Sequence, residues 1–248
     1  MSLELKQVSG GYGQRKVIDN LTFQIESGEV MGLIGLNGAG KSTTMKHIMG
    51  LLQPFSGSIR INGKTLAEDG ISYRQLLAYI PESPMLYRAL TLREHLDMTA
   101  LAYNIEPEVV LERARPLLEM FRLTEHLDWF PTDFSKGMKQ KVMIICALVT
   151  EPSVLIIDEP FIGLDPLAIH DFMQLIQDGK ARGTAVLMST HVLMNAEKIC
   201  DRFAILHQGQ LQKVGTLADI QQAMGLIGSS LDEIYQQLLR GQVISNDA

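Results

Sequence analysis

An α/β fold is predicted for this chain of 248 residues: a buried parallel sheet, an antiparallel β portion ahead of it, and a block of helices inserted between its strands. Three observations predict it. Residues 30–34, 154–157 and 185–189 are short, unbroken apolar runs, as expected of strands buried on both faces. Residues 3–8, 17–25 and 58–61 alternate apolar and polar positions and are separated by the glycine-rich turns SGGYG, SGE and NGK, as in an antiparallel sheet. From Thr91 to Thr150 the apolar spacing is helical throughout.

The remaining elements follow in order. The strand 30–34 runs through a glycine-rich stretch into the helix-like TTMKHIMG. Another strand is expected at 76–80. Thr91 can cap a helix, and Glu94 three residues later completes a capping box. Leu92, His95, Leu96 and Thr99 then share one face. A second helix is expected over about 107–121 and a third over about 135–148. A last strand occupies 203–206. After Gly215 two short helices remain, the second with Leu231, Ile234, Tyr235 and Leu238 on one stripe, and packing on the core is their expected role.

Composition removes several classes of function. The net charge is −6, and no run of Lys and Arg marks a nucleic-acid footprint, so no nucleic-acid partner is expected. Two cysteines, Cys146 and Cys200, do not make a disulfide scaffold. The N-terminus carries no apolar signal core. The longest apolar run, 142–149, is far short of the roughly 20 residues that cross a bilayer. A soluble chain is expected, or one held at a membrane by a partner.

The chemistry is concentrated in two stretches. GLNGAGKST, residues 35–43, has the spacing G-x-x-x-x-G-K-[ST] directly after a strand and before a helix. The backbone N–H groups of Gly35, Asn37, Gly38, Ala39, Gly40, Lys41, Ser42 and Thr43 can curl around phosphates at a helix N-terminus. Lys41 can reach the β- and γ-phosphates, and the Ser42 hydroxyl can ligate Mg²⁺. The spacing arises by chance in about one chain in a hundred of this length, and the flanking strand and helix lower that further. VLIIDEP, residues 154–160, ends a buried strand with adjacent carboxylates. Neighbours on a strand point to opposite faces, so Asp158 and Glu159 can serve one site only where the strand stops. Asp158 is placed to hold Mg²⁺ through its water shell and Glu159 to polarise a water, the division of labour phosphoryl transfer needs.

With these motifs the sequence resembles the ATP-binding subunits of ABC transporters up to about Gly215. FSKGMKQK, 134–141, is similar to that family's signature L-S-G-G-Q, with Phe134, Lys136 and Met138 departing from it. The resemblance implies a P-loop NTPase (RecA-like) core with an N-terminal antiparallel β subdomain and an inserted α-helical subdomain. It implies a single ATP-binding domain over 1–248: β subdomain and core about 1–84, helical subdomain about 85–150, core about 151–215, and C-terminal helices about 216–248. Ser135 and Gly137 would contact the γ-phosphate of a nucleotide on the opposite subunit. Tyr12 would stack on adenine, the lesser alternative being an ordinary turn tyrosine. Asp165 would lie in a loop crossing the dimer interface, and it also suits a helix cap before Pro166. His191 would contact the γ-phosphate. GLIGLNGAGKSTTMKHIMGL, YIPESP, WFPTDFSKGMKQKVMI and IIDEPFIGLDPLAIH read most like the Ecs-type members from Gram-positive bacteria.

The expected activity is ATP hydrolysis that drives transport, in the export direction, with Lys41, Glu159 and His191 as the catalytic set and Ser42, Glu82 and Asp158 around Mg²⁺. The expected partners are an integral membrane permease subunit and a second copy of the ATP-binding subunit. The expected place is the cytoplasmic face of the cell membrane, through the permease, or the cytoplasm when isolated. Glu82, in YIPESP, is the departure of most interest. By itself the stretch reads as a proline-bracketed surface turn with a solvated acid. The resemblance places there a loop residue, ordinarily glutamine, that touches Mg²⁺ and the attacking water. At about 5 Å and an effective dielectric near 20, each added charge interaction is worth on the order of 3 kcal/mol. Attraction to the metal and repulsion from phosphate are comparable, and geometry decides between them.

Overall fold

A computed structural model describes residues 2–159, 161, 163–190 and 192–246. Strands β1 (Leu3–Tyr12), β2 (Arg15–Ile25) and β4 (Ser56–Ile61) form an antiparallel sheet in the order β2-β1-β4. A second sheet of six strands has β3 (Val30–Ile34) inside it, followed in sequence by β5 (Leu77–Ile80), β6 (Val154–Asp158), β7 (Ala185–Ser189), β8 (Arg202–His207) and β9 (Gln210–Gly215). Its spatial order is β5-β6-β7-β3-β8-β9, parallel throughout except for β9 against β8.

The apolar runs are explained by burial on both faces. In β6, Val154 and Ile156 face the core shared with the antiparallel sheet, while Leu155 and Ile157 face the core shared with the helical block. Ala185 and Leu187 of β7 likewise oppose Val186 and Met188. Helix α1 (Lys41–Ile48) lies between the sheets, its Met45 and Ile48 buried with Leu3, Leu5, Met31 and Leu33. A short helix, α2 (Gly70–Gln75), precedes β5.

The helical block comprises α3 (Leu92–Tyr103), α4 (Pro107–Met120) and α5 (Lys136–Leu148). The Thr91–Glu94 capping box forms, and Leu92, His95, Leu96 and Thr99 are the buried face of α3. The block is not helical throughout: 121–135 is irregular apart from two 3-10 turns at Thr124–His126 and Pro131–Asp133. Here the apolar residues Phe121, Leu123 and Phe134 fill the core from loop backbone, so their spacing imitates helix without forming one. The remaining helices are α6 (Pro166–Ala181), α7 (Leu193–Ile199), α8 (Leu217–Met224) and α9 (Leu231–Asn246).

Two further expectations are corrected. SGGYG is not a turn: Gly10, Gly11 and Tyr12 pair with β2 in an irregular, bulged strand end, and the chain turns only at Gly13. A β-carbon at Gly11 would meet the Arg15 carbonyl oxygen at 2.0 Å, so glycine permits the close strand crossing. The last helix is not short, for α9 has 16 residues. Its stripe packs as expected, with Leu231, Ile234 and Tyr235 against Ile34, Ala196, Phe203, Ile205 and Ile220.

Candidate nucleotide site

The phosphate loop leaves β3 after Ile34 and enters α1 through Gly40, whose φ is 108°. A β-carbon there would be strained by that left-handed backbone and would also press on the Ile18 methyl at 2.9 Å. Lys41 is buried, and its Nζ donates to the carbonyls of Gly35 (2.7 Å) and Leu36 (3.3 Å). The loop is braced from behind. Ala39 N–H donates to Leu36 O, and Gly209, in the β8–β9 turn, donates its N–H to Ala39 O at 2.9 Å. Ser42 is exposed in the first turn of α1, Asn37 and Gly38 are exposed at the rim, and Gly35, Ala39, Gly40 and Thr43 are buried beneath.

Tyr12 stands at the end of β1, 46% exposed. Lys46 of α1 donates to its hydroxyl at 3.0 Å and lies 5.3 Å from the ring centroid. That ammonium, then the Thr43 hydroxyl, hold the phenol below its ordinary acidity range. An aromatic face is thus fixed next to the phosphate-loop helix and left open to solvent, which suits stacking on a base.

At the end of β6, Asp158 is 7% exposed and accepts from the Ser189 hydroxyl of β7 at 2.5 Å. Glu159 turns out of the strand with φ 48°, a left-handed conformation unusual for a residue with a side chain. Its N–H donates to the Ser189 carbonyl at 3.2 Å. The turn carries Glu159 to a cleft beside the phosphate loop, while Asp158 stays buried against Ser189. Backbone of this kind costs about 1–3 kcal/mol and collects at functional sites. His191 lies outside the described residues; Thr190 before it lines the same cleft as Glu159.

That cleft, about 570 Å³, is lined by Gly35, Leu36 and Asn37 of the phosphate loop, by Glu82 and Glu159, and by Thr190, Leu193, Asp232 and Tyr235. Glu82 is exposed on the loop after β5 and lines the cleft. Buried Gln140 of α5 holds that loop by donating to Pro81 O at 3.0 Å. Tyr79, two residues before Pro81, has its phenol pushed up to about 12, first by burial and then by the carboxylates of Asp158 and Glu82. The structure therefore gathers Gly35, Asn37, Glu82 and Glu159 around one space.

Ser135, Gly137 and Asp165 are gathered elsewhere. Ser135 caps α5 by accepting from Met138 N–H at 3.2 Å. Gly137 abuts the Gly163 carbonyl so closely that a β-carbon would lie 2.6 Å from its oxygen. Asp165 does cap α6, accepting from Ala168 N–H at 2.9 Å, and pairs with Lys141 of α5 at 3.1 Å. The Ala168 amide and the Lys141 ammonium hold this carboxyl below the usual range. The start of α5 and the 163–165 segment are thus joined to each other, and none of Ser135, Gly137 and Asp165 is among the residues lining the cleft.

The donors available for a metal are hard oxygens: the Ser42 hydroxyl and the carboxylates of Asp158 and Glu82. Among the described residues no cluster of three His, Cys, Asp or Glu is arranged to cage an ion. One or two carboxylates with substrate phosphate oxygens is the donor set that suits Mg²⁺, which keeps several waters, so the residues fit that ion.

Sequence reasoning missed several contributors. Gly209 and Ser189 belong to no motif read from the sequence, Gln140 lies within FSKGMKQK but was given no role there, and Asp232 and Tyr235 lie in a helix read only as packing. Only the topology brings them to the loop.

Comparison with known proteins agrees with this geometry. Residues 18–162 match the family model for ABC transporters. The chain is 51% identical over 238 residues to the ABC-type transporter ATP-binding protein EcsA of Bacillus subtilis, covering 96% of each. It is 34% identical over 238 residues to Nod factor export ATP-binding protein I of Sinorhizobium fredii, covering 95% of this chain and 68% of that protein. A solved ATP-binding subunit of an ABC transporter superposes with TM-score 0.94 at 53% identity, covering 96% of this chain and 100% of that one. The phosphate loop, the carboxylates turned toward it and these likenesses together show that the chain belongs to the ABC transporter family, as an ATP-binding and ATP-hydrolysing subunit.

Proposed function

We propose that this subunit hydrolyses ATP at sites completed by a second copy, and that closure of the two copies drives export through a membrane subunit. The observation that carries the reading is the cleft in which the phosphate loop meets Glu82 and Glu159. In this reading Lys41 and the loop amides bind the phosphates, Tyr12 stacks on the base, and His191 steadies the γ-phosphate. Glu159 orients and deprotonates the attacking water. Ser135 and Gly137 act on the nucleotide of the other copy, a reading supported by their absence from the residues that line this chain's cleft, and Asp165 lies beside them at the junction between copies. Mg²⁺, held by Ser42, Asp158 and Glu82, would neutralise phosphate charge. Export is favoured by the likeness to the Nod factor export protein.

A groove supports the membrane partner. Pro84, Met85, Leu86, Tyr87 and Arg88 form one side, and Pro131, Thr132 and Lys139 the other, around about 730 Å³. Met85 is 77% and Tyr87 63% exposed, so two large apolar side chains stand open side by side at the groove. Among the described residues no helix is long and apolar enough to cross a membrane. The protein therefore reaches the membrane through the groove's occupant. Tyr87→Asp is expected to abolish co-purification with the membrane subunit while ATP binding by the isolated chain persists. Retained co-purification removes the groove from the docking surface.

Glu82 is expected to set the metal requirement. Because it is exposed, solvent screening limits its electrostatic contribution to about 1 kcal/mol. Titrating Mg²⁺ against phosphate release should show Glu82→Gln needing about fivefold more metal for half-maximal rate. An unchanged requirement removes Glu82 from the metal site.

A further inference from the structure

Lys136 is one of the departures from the signature L-S-G-G-Q, and nothing above uses it. The other lysines of FSKGMKQK have surroundings of their own. Lys141 pairs with Asp165 at 3.1 Å, and Lys139 lines the groove. Lys136 is exposed in the first turn of α5, and among the described residues no carboxylate pairs with it. Its side chain still has a course. A β-carbon built on Gly163 would lie 3.6 Å from its Cγ, Cδ and Cε. The apolar stem thus lies against the 163–165 segment, as a long cation does when its charged end stays in water.

The cleft holds the opposite charge. Glu82, Glu159 and Asp232 line it, and no lysine or arginine is among its described lining residues. Glu82 and Glu159 have proposed tasks at the metal and at the attacking water. Asp232 has none. It is exposed in the first turn of α9, accepts from Gln236 Nε2 at 2.7 Å, and has no cationic partner among the described residues. A carboxylate in a first turn commonly serves the helix end. Here Glu233 does so. Its carboxylate accepts from Ser230 N–H at 2.8 Å, and its own N–H donates to the Ser230 hydroxyl at 3.3 Å. Asp232 is left on the cleft wall.

In the proposed closure, Ser135 and Gly137 of one copy reach the cleft of the other. Lys136 lies between them, so an unpaired ammonium is carried to a space walled by an unpaired carboxylate. We propose that Lys136 of one copy pairs with Asp232 of the other when two copies close on nucleotide, and that this pair sets the register of closure. The inference rests on the proposed closure of two copies. A two-fold axis repeats the contact, so each closed dimer holds the pair twice. Opposite charges of this kind fix partner and register more than they add affinity, and like charges in their place are costly.

The test uses the full chain carrying Glu159→Gln, in which hydrolysis is expected to stop, and sedimentation equilibrium at saturating Mg-ATP. This host chain should form a dimer. Lys136→Glu should weaken the dimer about ten- to a hundredfold, because two attractive contacts become repulsive. Its monomer should still bind ATP with a Kd within about twofold of the host, since α5 is not part of the chain's own phosphate loop. Asp232→Lys should weaken the dimer in the same way. The two changes together exchange the signs, and the dimer should return to within about threefold of the host. Added salt should narrow the gap between the host and Lys136→Glu. A Lys136→Glu dimer as tight as the host overturns the proposal. So does a double variant no tighter than either single one, which gives the lysine to phosphate instead of Asp232. A host chain that stays monomeric with Mg-ATP overturns the closure of two copies itself, and the pair with it.

Discussion

Glu159→Gln is expected to lower ATP turnover by about 10²- to 10⁴-fold, the range lost with a general base, while ATP binding is retained. Glutamine has the size of glutamate and the same backbone demands, so the left-handed turn at φ 48° and the N–H bond to Ser189 should survive. What is lost is the ability to accept a proton from water. Lys41 and Asp158 lie on other positions of the site, so phosphate and metal binding remain. With hydrolysis blocked after closure, a nucleotide-bound pair of subunits should accumulate, visible as a doubled mass in size-exclusion chromatography with Mg-ATP. Wild-type phosphate release from Glu159→Gln would falsify the assignment of the base.

Gly137→Ala should be almost as damaging, for a different reason. Its methyl would lie 2.6 Å from the Gly163 carbonyl oxygen, a backbone atom that cannot swing aside as a flexible side chain would. Either α5 or the 163–165 segment must move, and the Lys141–Asp165 pair that joins them must stretch. Overpacking of this sort costs about 1–3 kcal/mol in stability. If this segment meets a phosphate of the other copy, as proposed, a misplacement near 1 Å costs on the order of 10²-fold in rate. Steady-state hydrolysis should therefore fall by about that factor, while nucleotide titration of the isolated chain stays normal, because the phosphate loop is on other elements. Undiminished hydrolysis would mean that the tight Gly137–Gly163 approach is incidental.

Much of this architecture was legible from residue pattern. Doubly buried strands announce themselves as unbroken apolar runs, and β3, β6 and β7 stand where residues 30–34, 154–157 and 185–189 placed them. The Thr91 cap was legible because its chemistry is local. The strand β9 was not, since QLQKVG is an edge strand, half-buried, with no apolar face to mark it. The helix bounds near 121 and 135 were legible, but the two 3-10 turns between them were not, because Phe121, Leu123 and Phe134 are buried from irregular backbone that keeps the block's apolar spacing. At the site, contiguous motifs were readable, including the turn that Asp158 and Glu159 demanded. Partners supplied across the fold were not. Ser189 behind Asp158, Gly209 behind Ala39 and Tyr235 beside Leu36 are adjacent only because of strand order and helix docking.

The bond from Gln140 to the Pro81 carbonyl has a thermodynamic consequence. Gln140 sits on the helix that Ser135 caps, and Pro81 is covalently joined to Glu82 in the cleft and, three residues on, to Pro84 in the groove. One amide thus ties together the surface proposed to meet a second copy, the cleft proposed for nucleotide and the groove proposed to seat a membrane protein. Linkage through such a tie is reciprocal. Whatever factor ATP applies to the groove's affinity for its occupant, the occupant returns to the affinity for ATP. A loaded membrane subunit would then act as an effector of the enzyme as much as its load.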